Sequence, residues 1–260
     1  MSIQPDHYDA DYYRAGCGPI PYQDRAAWLA RFHEVAALLI DTVRPKTAYD
    51  AGCAFGYLVE ALRERGVNAR GVDISDYAIS QVAPGVRPYV RVGSVTEPLP
   101  DRVDLITCIE ILEHVDAATG DAAIANFCAH ADAVLFSSSP DDDDTDSHIN
   151  VQPPHYWAER FARHGFTRDL SADVTLVAPW AALFRKGGAP DWRNYEDAHV
   201  AAAGRIAQLE RDLTRARAAE AQLRASEVER ARLADLLRGY ENGRVMRALN
   251  ALRRLGGGRS

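Results

Sequence analysis

A chain of 260 residues has room for one sizeable domain with an appendage, or for two small domains. Its 47% hydrophobic and 26% charged content is ordinary for a soluble globular protein. The net charge of −7 is uneven: residues 191–260 carry 14 Arg against 10 acidic groups, net +4, leaving −11 for residues 1–190. An acidic body argues against a broad nucleic-acid surface, because phosphate binding needs basic patches. It does not exclude a small anionic ligand. The cysteines Cys17, Cys53, Cys108 and Cys128 show neither CxxC nor zinc-finger spacing. With no signal peptide and no apolar run long enough to span a bilayer, a cytoplasmic protein is expected.

In chain order, residues 1–45 read as an N-terminal helical cap. An aromatic opening, "HYDADYY", and a Gly/Pro turn, "GCGPIPY", precede Trp28, Leu29, Phe32, Val35, Ala36 and Leu39 at helix spacing. Residues 46–187 then alternate short apolar runs with helical stretches. Strands are predicted at 47–52, 68–73, 89–94, 103–110 and 133–139, with helices at 56–65, near 76–82 and near 119–131. "PHYWAERFARHGF" (154–166) is an amphipathic helix in which Trp157 packs into the core and His155 faces an acceptor pocket. Runs at 167–173 and 175–186 close the sheet as an antiparallel pair. Alternation of this kind predicts an α/β fold: a doubly wound, mostly parallel sheet covered on both faces. After the linker "KGGAPDW", residues 195–240 carry Ile206, Leu209, Leu213, Ala216 and Leu223 in a 3,4 repeat. That is a short coiled-coil signature through which the chain would oligomerise, interrupted by Glu220 and drifting after Leu223. Residues 241–260 set Val245, Leu249, Leu252 and Leu255 against Arg244, Arg247, Arg253 and Arg254. Such a basic amphipathic tail suits an anionic membrane surface or a partner protein, or is a solvated helix end.

"YDAGCAFGYL" (49–58) is strand, turn and helix start, with Gly52 and Gly56 bracketing Cys53, Ala54 and Phe55, and Asp50 just upstream. Ala54 stands where GxGxxG would place its second glycine. Asp73 closes the second strand, 21 residues after Gly52, where a carboxylate accepts hydrogen bonds from a ribose.

"YDAGCAFG", "GVDIS", "GSVTEPLP" and "DLITCIEILEHV" resemble, in order and spacing, the successive motifs of class I S-adenosylmethionine-dependent methyltransferases over residues 45–140. The resemblance implies a Rossmann-like seven-stranded sheet and S-adenosylmethionine as cofactor. It implies that Asp50, Gly52, Cys53, Ala54, Phe55 and Gly56 form the turn beside the methionine portion, with Asp73 on the ribose. Ile74, Ser94 and Val95 would flank the adenine, and Ile109 and Glu110 would meet the sulfonium. Tyr12 and Tyr13 would cover the cofactor. The commoner family glycine at position 54 is Ala, a change expected to alter the turn little.

"CIEILEH" ends an apolar run in Glu110, Glu113 and His114, which share one face if they open a helix. The E-x-x-E-H spacing resembles the metal-binding segment of small-RNA 2′-O-methyltransferases and of O-methyltransferases of ubiquinone synthesis. In both, a further histidine follows the fifth strand; His148 stands there in this chain. Three readings of these residues stay open. Glu110, Glu113, His114 and His148 hold Mg²⁺ or Mn²⁺, which lowers the pKa of an acceptor hydroxyl. Alternatively His114 or His148 acts as a metal-free base, with Glu113 in the catalytic set. In the third, Glu113 and His114 satisfy backbone amides in a capping box or another hydrogen-bonded structural role. Asp141–Asp144 would attract a cation or a polyhydroxylated substrate, or form a solvated loop.

"SSSPDD", "HINVQPPHYW", "PWAALFR" and the trailing repeat resemble small bacterial methyltransferases thought to act on sugars or glycans in polysaccharide assembly. A sugar or glycan hydroxyl is therefore the first expected acceptor, and a small phenolic or quinone-type metabolite the second. A non-catalytic cofactor-binding scaffold that recruits partners through the coiled coil is the rival from another class.

Overall fold

The computed structural model describes residues 7–15, 20–140, 147–187, 192–241 and 243–256. The chain divides into two compact units, Met1–Tyr195 and Glu196–Ser260.

In the first unit, α1 (Ala10–Ala15) and α2 (Arg25–Val43) precede β1 (Thr47–Ala51), α3 (Tyr57–Glu64), β2 (Asn68–Asp73), α4 (Asp76–Ser80) and β3 (Val90–Val92). β4 (Leu105–Ile109), α5 (Ala117–His130), β5 (Ala133–Ser137), α6 (Pro154–Arg163), β6 (Phe166–Arg168) and β7 (Ala182–Lys186) complete it. The seven strands lie in the order β3-β2-β1-β4-β5-β7-β6, so the expected sheet is present. β1 to β5 pair in parallel, and β7 runs antiparallel to both β5 and β6. Strand order reverses between β1 and β4, and the crevice outside their carboxyl ends is where such sheets bind ligands.

Side-chain alternation along the central strands builds a core on each face. Leu105 and Leu135 join Leu39, Leu58 and Leu62 under α2 and α3. Ile106, Val134 and Phe136 point the other way, into Ile124, Phe127, Trp157 and Phe161 of α5 and α6. A third cluster is aromatic: Tyr13, Tyr22, Phe55 and Tyr57 are buried together, with Tyr8, Tyr12, Trp28 and Phe32 packed on them. The N-terminal segment therefore packs on the turn after β1, and Arg25 seals the join with two bonds to Glu60 (2.8 and 2.6 Å).

Several strands are shorter than their apolar runs. Val103 makes only an isolated bridge to Ala131 before β4 begins at Leu105. The two closing runs contribute only Phe166–Arg168 and Ala182–Lys186; Asp169, Ser171, Asp173 and Thr175 form side-chain-bonded turns instead.

Beyond the sheet, α7 (Trp192–Glu241) is a single helix, and Ile206, Leu209, Leu213 and Leu223 are exposed along it. α8 (Arg244–Gly256) follows, with Val245, Leu249 and Leu252 exposed. Among the described residues no helix is long and apolar enough to cross a membrane. Cys17 and the Asp141–Asp144 run lie outside the described residues.

Candidate active site at the carboxyl edge of the sheet

The turn after β1 is held by its own backbone and by Asp73. Gly52 and Cys53 both donate to the Val72 carbonyl (2.8 and 2.9 Å). Asp73 Oδ2 accepts from the Ala54 amide at 2.8 Å, and Oδ1 from Ser75 at 2.9 Å. Gly52 has φ +85°, and a Cβ there would stand 2.2 Å from the Ile111 side chain, so both conformation and space require glycine. Ala54 also sits in the left-handed region, φ 44°. The alanine is therefore accommodated with backbone strain, on the order of 1–2 kcal/mol, rather than at no cost.

A cavity of about 880 Å³ opens against this turn. Asp50, Gly52, Cys53, Ala54, Asp73, Ile74, Ser94, Val95, Ile109 and Glu110 line it, as do His114, His148, Tyr12 and Tyr13. Three expected site residues do not. Phe55 turns its ring into the aromatic cluster, where Tyr13 and Tyr22 lie 4.9 and 5.1 Å away between ring centroids. Gly56, at φ 73°, precedes the first residue of α3, with Val82, Val86 and Val90 beside it. Glu113 is fully buried beneath the cavity wall. His155 is exposed and outside the cavity. Conversely, Tyr8, Tyr22, Trp28, Phe32 and Thr96 line the cavity without having been singled out. Tyr8 belongs to the same aromatic run as Tyr12 and Tyr13; Trp28 and Phe32 fall at helical spacing that reads equally well as core.

Two carboxylates dominate the electrostatics. Burial pushes Asp50 up to about 7; the Thr107 hydroxyl, donating at 2.6 Å, opposes this and nearby Asp73 adds to it. Burial also raises Asp73, against the pull of the Ser75, Ala54 and Ile74 amides. Anions this costly to desolvate favour a positively charged ligand in the cavity. The sulfonium and ammonium groups of S-adenosylmethionine meet that requirement, so the residues present fit the donor.

At the end of β4 the chain does not enter a helix. Glu110 has φ 53°, Leu112–His114 form one 3-10 turn, and α5 begins at Ala117. The cap of α5 is Asp116, whose carboxylate accepts from the Thr119 amide at 2.9 Å. The helix-turn geometry expected for Glu110, Glu113 and His114 is corrected by this bend: Glu113 caps no helix, although its Oε1 accepts from the Ser139 amide at 3.4 Å. Glu110 Oε1 instead accepts from the Trp180 indole at 2.9 Å, and strain at such a residue is characteristic of functional sites.

Of the four expected metal ligands, three converge: single ligand atoms of Glu113, His114 and His148 lie within 4.8 Å of one another. Glu110 is not in this group. The His114 and His148 rings are 4.5 Å apart between centroids. His114 Nδ1 lies 3.0 Å from the Ser147 carbonyl, which can only accept, so the neutral ring carries its lone pair on Nε2. Glu113 is raised well above the usual carboxylate range by burial first and by the Glu110 carboxylate next. Among the described residues its Oε2 is buried with no hydrogen-bond partner. An orphaned carboxylate oxygen beside two imidazoles is a donor set that fits a divalent cation.

A doubly wound sheet with an acidic crevice at its switch point defines an α/β enzyme built around a nucleotide-like cofactor. The family described as "Methyltransferase domain" matches residues 22–172. The Ubiquinone biosynthesis O-methyltransferase of Neisseria meningitidis is 28% identical over 191 residues, 66% of this chain and 69% of that protein. Its namesake in Pseudomonas paraeruginosa is 29% identical over 106 residues, 35% of this chain and only 46% of the relative's own length. Among solved structures, an S-adenosylmethionine-dependent methyltransferase from Clostridium acetobutylicum superposes with a TM-score of 0.52 at 13% identity, over 68% of this chain and 97% of that one. The 1,6-didemethyltoxoflavin-N1-methyltransferase of Burkholderia thailandensis gives 0.50 at 18% identity, over 71% and 87%. These two likenesses are of fold. The chain belongs to the methyltransferase domain family and is an S-adenosylmethionine-dependent methyltransferase.

Proposed function

We propose that the enzyme methylates a hydroxyl of a small phenolic or quinone-type metabolite. The observation that carries this reading is the aromatic wall of the cavity, Tyr8, Tyr12, Tyr13, Tyr22, Trp28 and Phe32, which suits a flat ring. The relatives from Neisseria and Pseudomonas, named for ubiquinone biosynthesis, support the same choice. The sugar or glycan acceptor expected first from the sequence finds no such support, and the phenolic acceptor replaces it.

Methyl transfer from a sulfonium is an in-line displacement, so alignment and removal of the acceptor proton are what the protein contributes. Asp50 and Asp73 hold the donor's positive and ribose ends. Trp180 fixes Glu110 where β4 meets the cavity. A phenol with a pKa near 10 (roughly that of Tyr) must lose its proton as the methyl arrives. His114 and His148 are the imidazoles at the cavity wall, and where no cation engages them one of the two takes that proton. Glu113, His114 and His148 would alternatively hold a divalent cation; it would supply Lewis acidity to the acceptor oxygen, and the proton would pass to water because the ligating lone pairs are committed.

The test is transfer of labelled methyl groups from S-adenosylmethionine to vicinal phenols and to monosaccharides, each with and without a chelator. The reading requires labelled phenol and, with the cation, a loss of at least about 100-fold in chelator, the low end of what activation of one acceptor proton contributes. Labelled sugar with unlabelled phenol would overturn the acceptor. Undiminished turnover in excess chelator would remove the cation and leave the histidines as the bases.

A further inference from the structure

We infer that α7 pairs antiparallel with α7 of a second copy of this chain, about a two-fold axis at Leu223. The inference stands apart from the acceptor reading. Large apolar residues of α7 are exposed, from 51% at Leu213 to 69% at Tyr240. Six of them are placed symmetrically about Leu223. Leu213 and Leu233 lie ten residues to either side, Leu209 and Leu237 fourteen, and Ile206 and Tyr240 seventeen. At 3.5 residues per turn, residues 209, 216, 223, 230 and 237 fall on one line, and Ile206, Leu213, Leu233 and Tyr240 flank it within one seam.

A helix reversed about Leu223 therefore sets leucine against leucine and Ile206 against Tyr240 along about 50 Å (34 residues at 1.5 Å). That self-complementarity is what a two-fold, isologous interface requires and what an unrelated partner would not need. Charge selects direction. Parallel in-register pairing stacks Glu220 on Glu220 and Arg230 on Arg230 inside the seam. Antiparallel pairing separates these stacks: Glu220 lies opposite Ser226 and Arg230 opposite Ala216 of the second copy, and Arg230 comes one turn from that copy's Glu220, where it offsets the approach of Glu220 and Glu227. The drift after Leu223, which weakens a parallel heptad reading, is the mirror image of the spacing before it.

The experiment uses the full chain. Light scattering should give the mass of two chains, and Leu223→Glu the mass of one at the same micromolar concentration. Orientation is read by oxidising mixed Leu209→Cys and Leu237→Cys chains, with the unsubstituted chain as control for its own thiols. The expected product is a disulfide joining the two different chains, with none between two Leu209→Cys chains. A single-chain mass for the unsubstituted protein overturns the inference and leaves α7 to another partner. A disulfide between two Leu209→Cys chains, or a dimer untouched by Leu223→Glu, overturns it equally.

Discussion

Replacing Asp50 by Asn removes a charge while keeping the shape of the side chain and the oxygen to which Thr107 donates at 2.6 Å. The parent carboxyl is pushed up to about 7 from its ordinary 3.8, mainly by burial. A carboxyl raised on folding contributes stability that is complete below its unfolded pKa and is lost as pH rises through the folded value. The full span is on the order of 4 kcal/mol, from about three units at 1.36 kcal/mol each. Roughly 3 kcal/mol of it falls between pH 5 and pH 8. Asp73 and Glu113 are raised in the same direction but are present in both proteins, so they cancel in the comparison. Urea unfolding should therefore show the Asp50→Asn variant gaining about 3 kcal/mol on its parent from pH 5 to pH 8. Donor affinity should move the opposite way at pH 8, weakening about 10- to 100-fold as an anion near the sulfonium is lost. Parallel stability curves, or unchanged affinity, would refute the account of a buried acid reserved for a cationic ligand.

Three further outcomes follow from the site's geometry. Ala54→Gly should relieve the left-handed alanine and, after glycine's entropic cost, raise stability by about 0.5–1 kcal/mol in thermal melts; a loss would mean the turn is not strained. Trp180→Phe removes the donor to Glu110 Oε1, and should cost about 1–3 kcal/mol of stability. It should also lower kcat about tenfold while KM for the donor holds, a split that a purely structural tryptophan would not give. His148→Ala should cut methyl transfer by about 10²–10⁴ and leave donor binding within threefold, measured by single turnover and calorimetry; intact turnover would take His148 out of the chemistry.

The sheet was legible because its strands are short apolar runs and its crossovers carry helical spacing, signals that burial on both faces writes directly into sequence. The cofactor edge was legible for a similar reason: Gly52 and Asp73 occupy positions where backbone geometry admits few alternatives. What escaped was set by tertiary contact. Phe55 follows a run of residues that touch the cavity, yet its ring packs behind the cavity's aromatic wall, against Tyr13, Tyr22 and Tyr57. The left-handed turn at Glu110 breaks the helical spacing that "EILEH" suggests, and the Trp180 contact that accompanies it spans 70 residues. The motif "GSVTEPLP" points to Val95 and not to Thr96 beside it, since nothing local separates a cavity-facing residue from its neighbour in a loop.

The most direct measurement is calorimetric titration of S-adenosylmethionine into the full-length protein and into Asp73→Ala, with melting curves recorded alongside. Saturable heat at one site per chain is predicted for the parent, and a dissociation constant at least about 30-fold weaker for the folded variant, since roughly 2 kcal/mol of charge-assisted hydrogen bonding is removed. Equal affinity in the two proteins, or no heat from the parent, would contradict the placement of the methyl donor in this crevice.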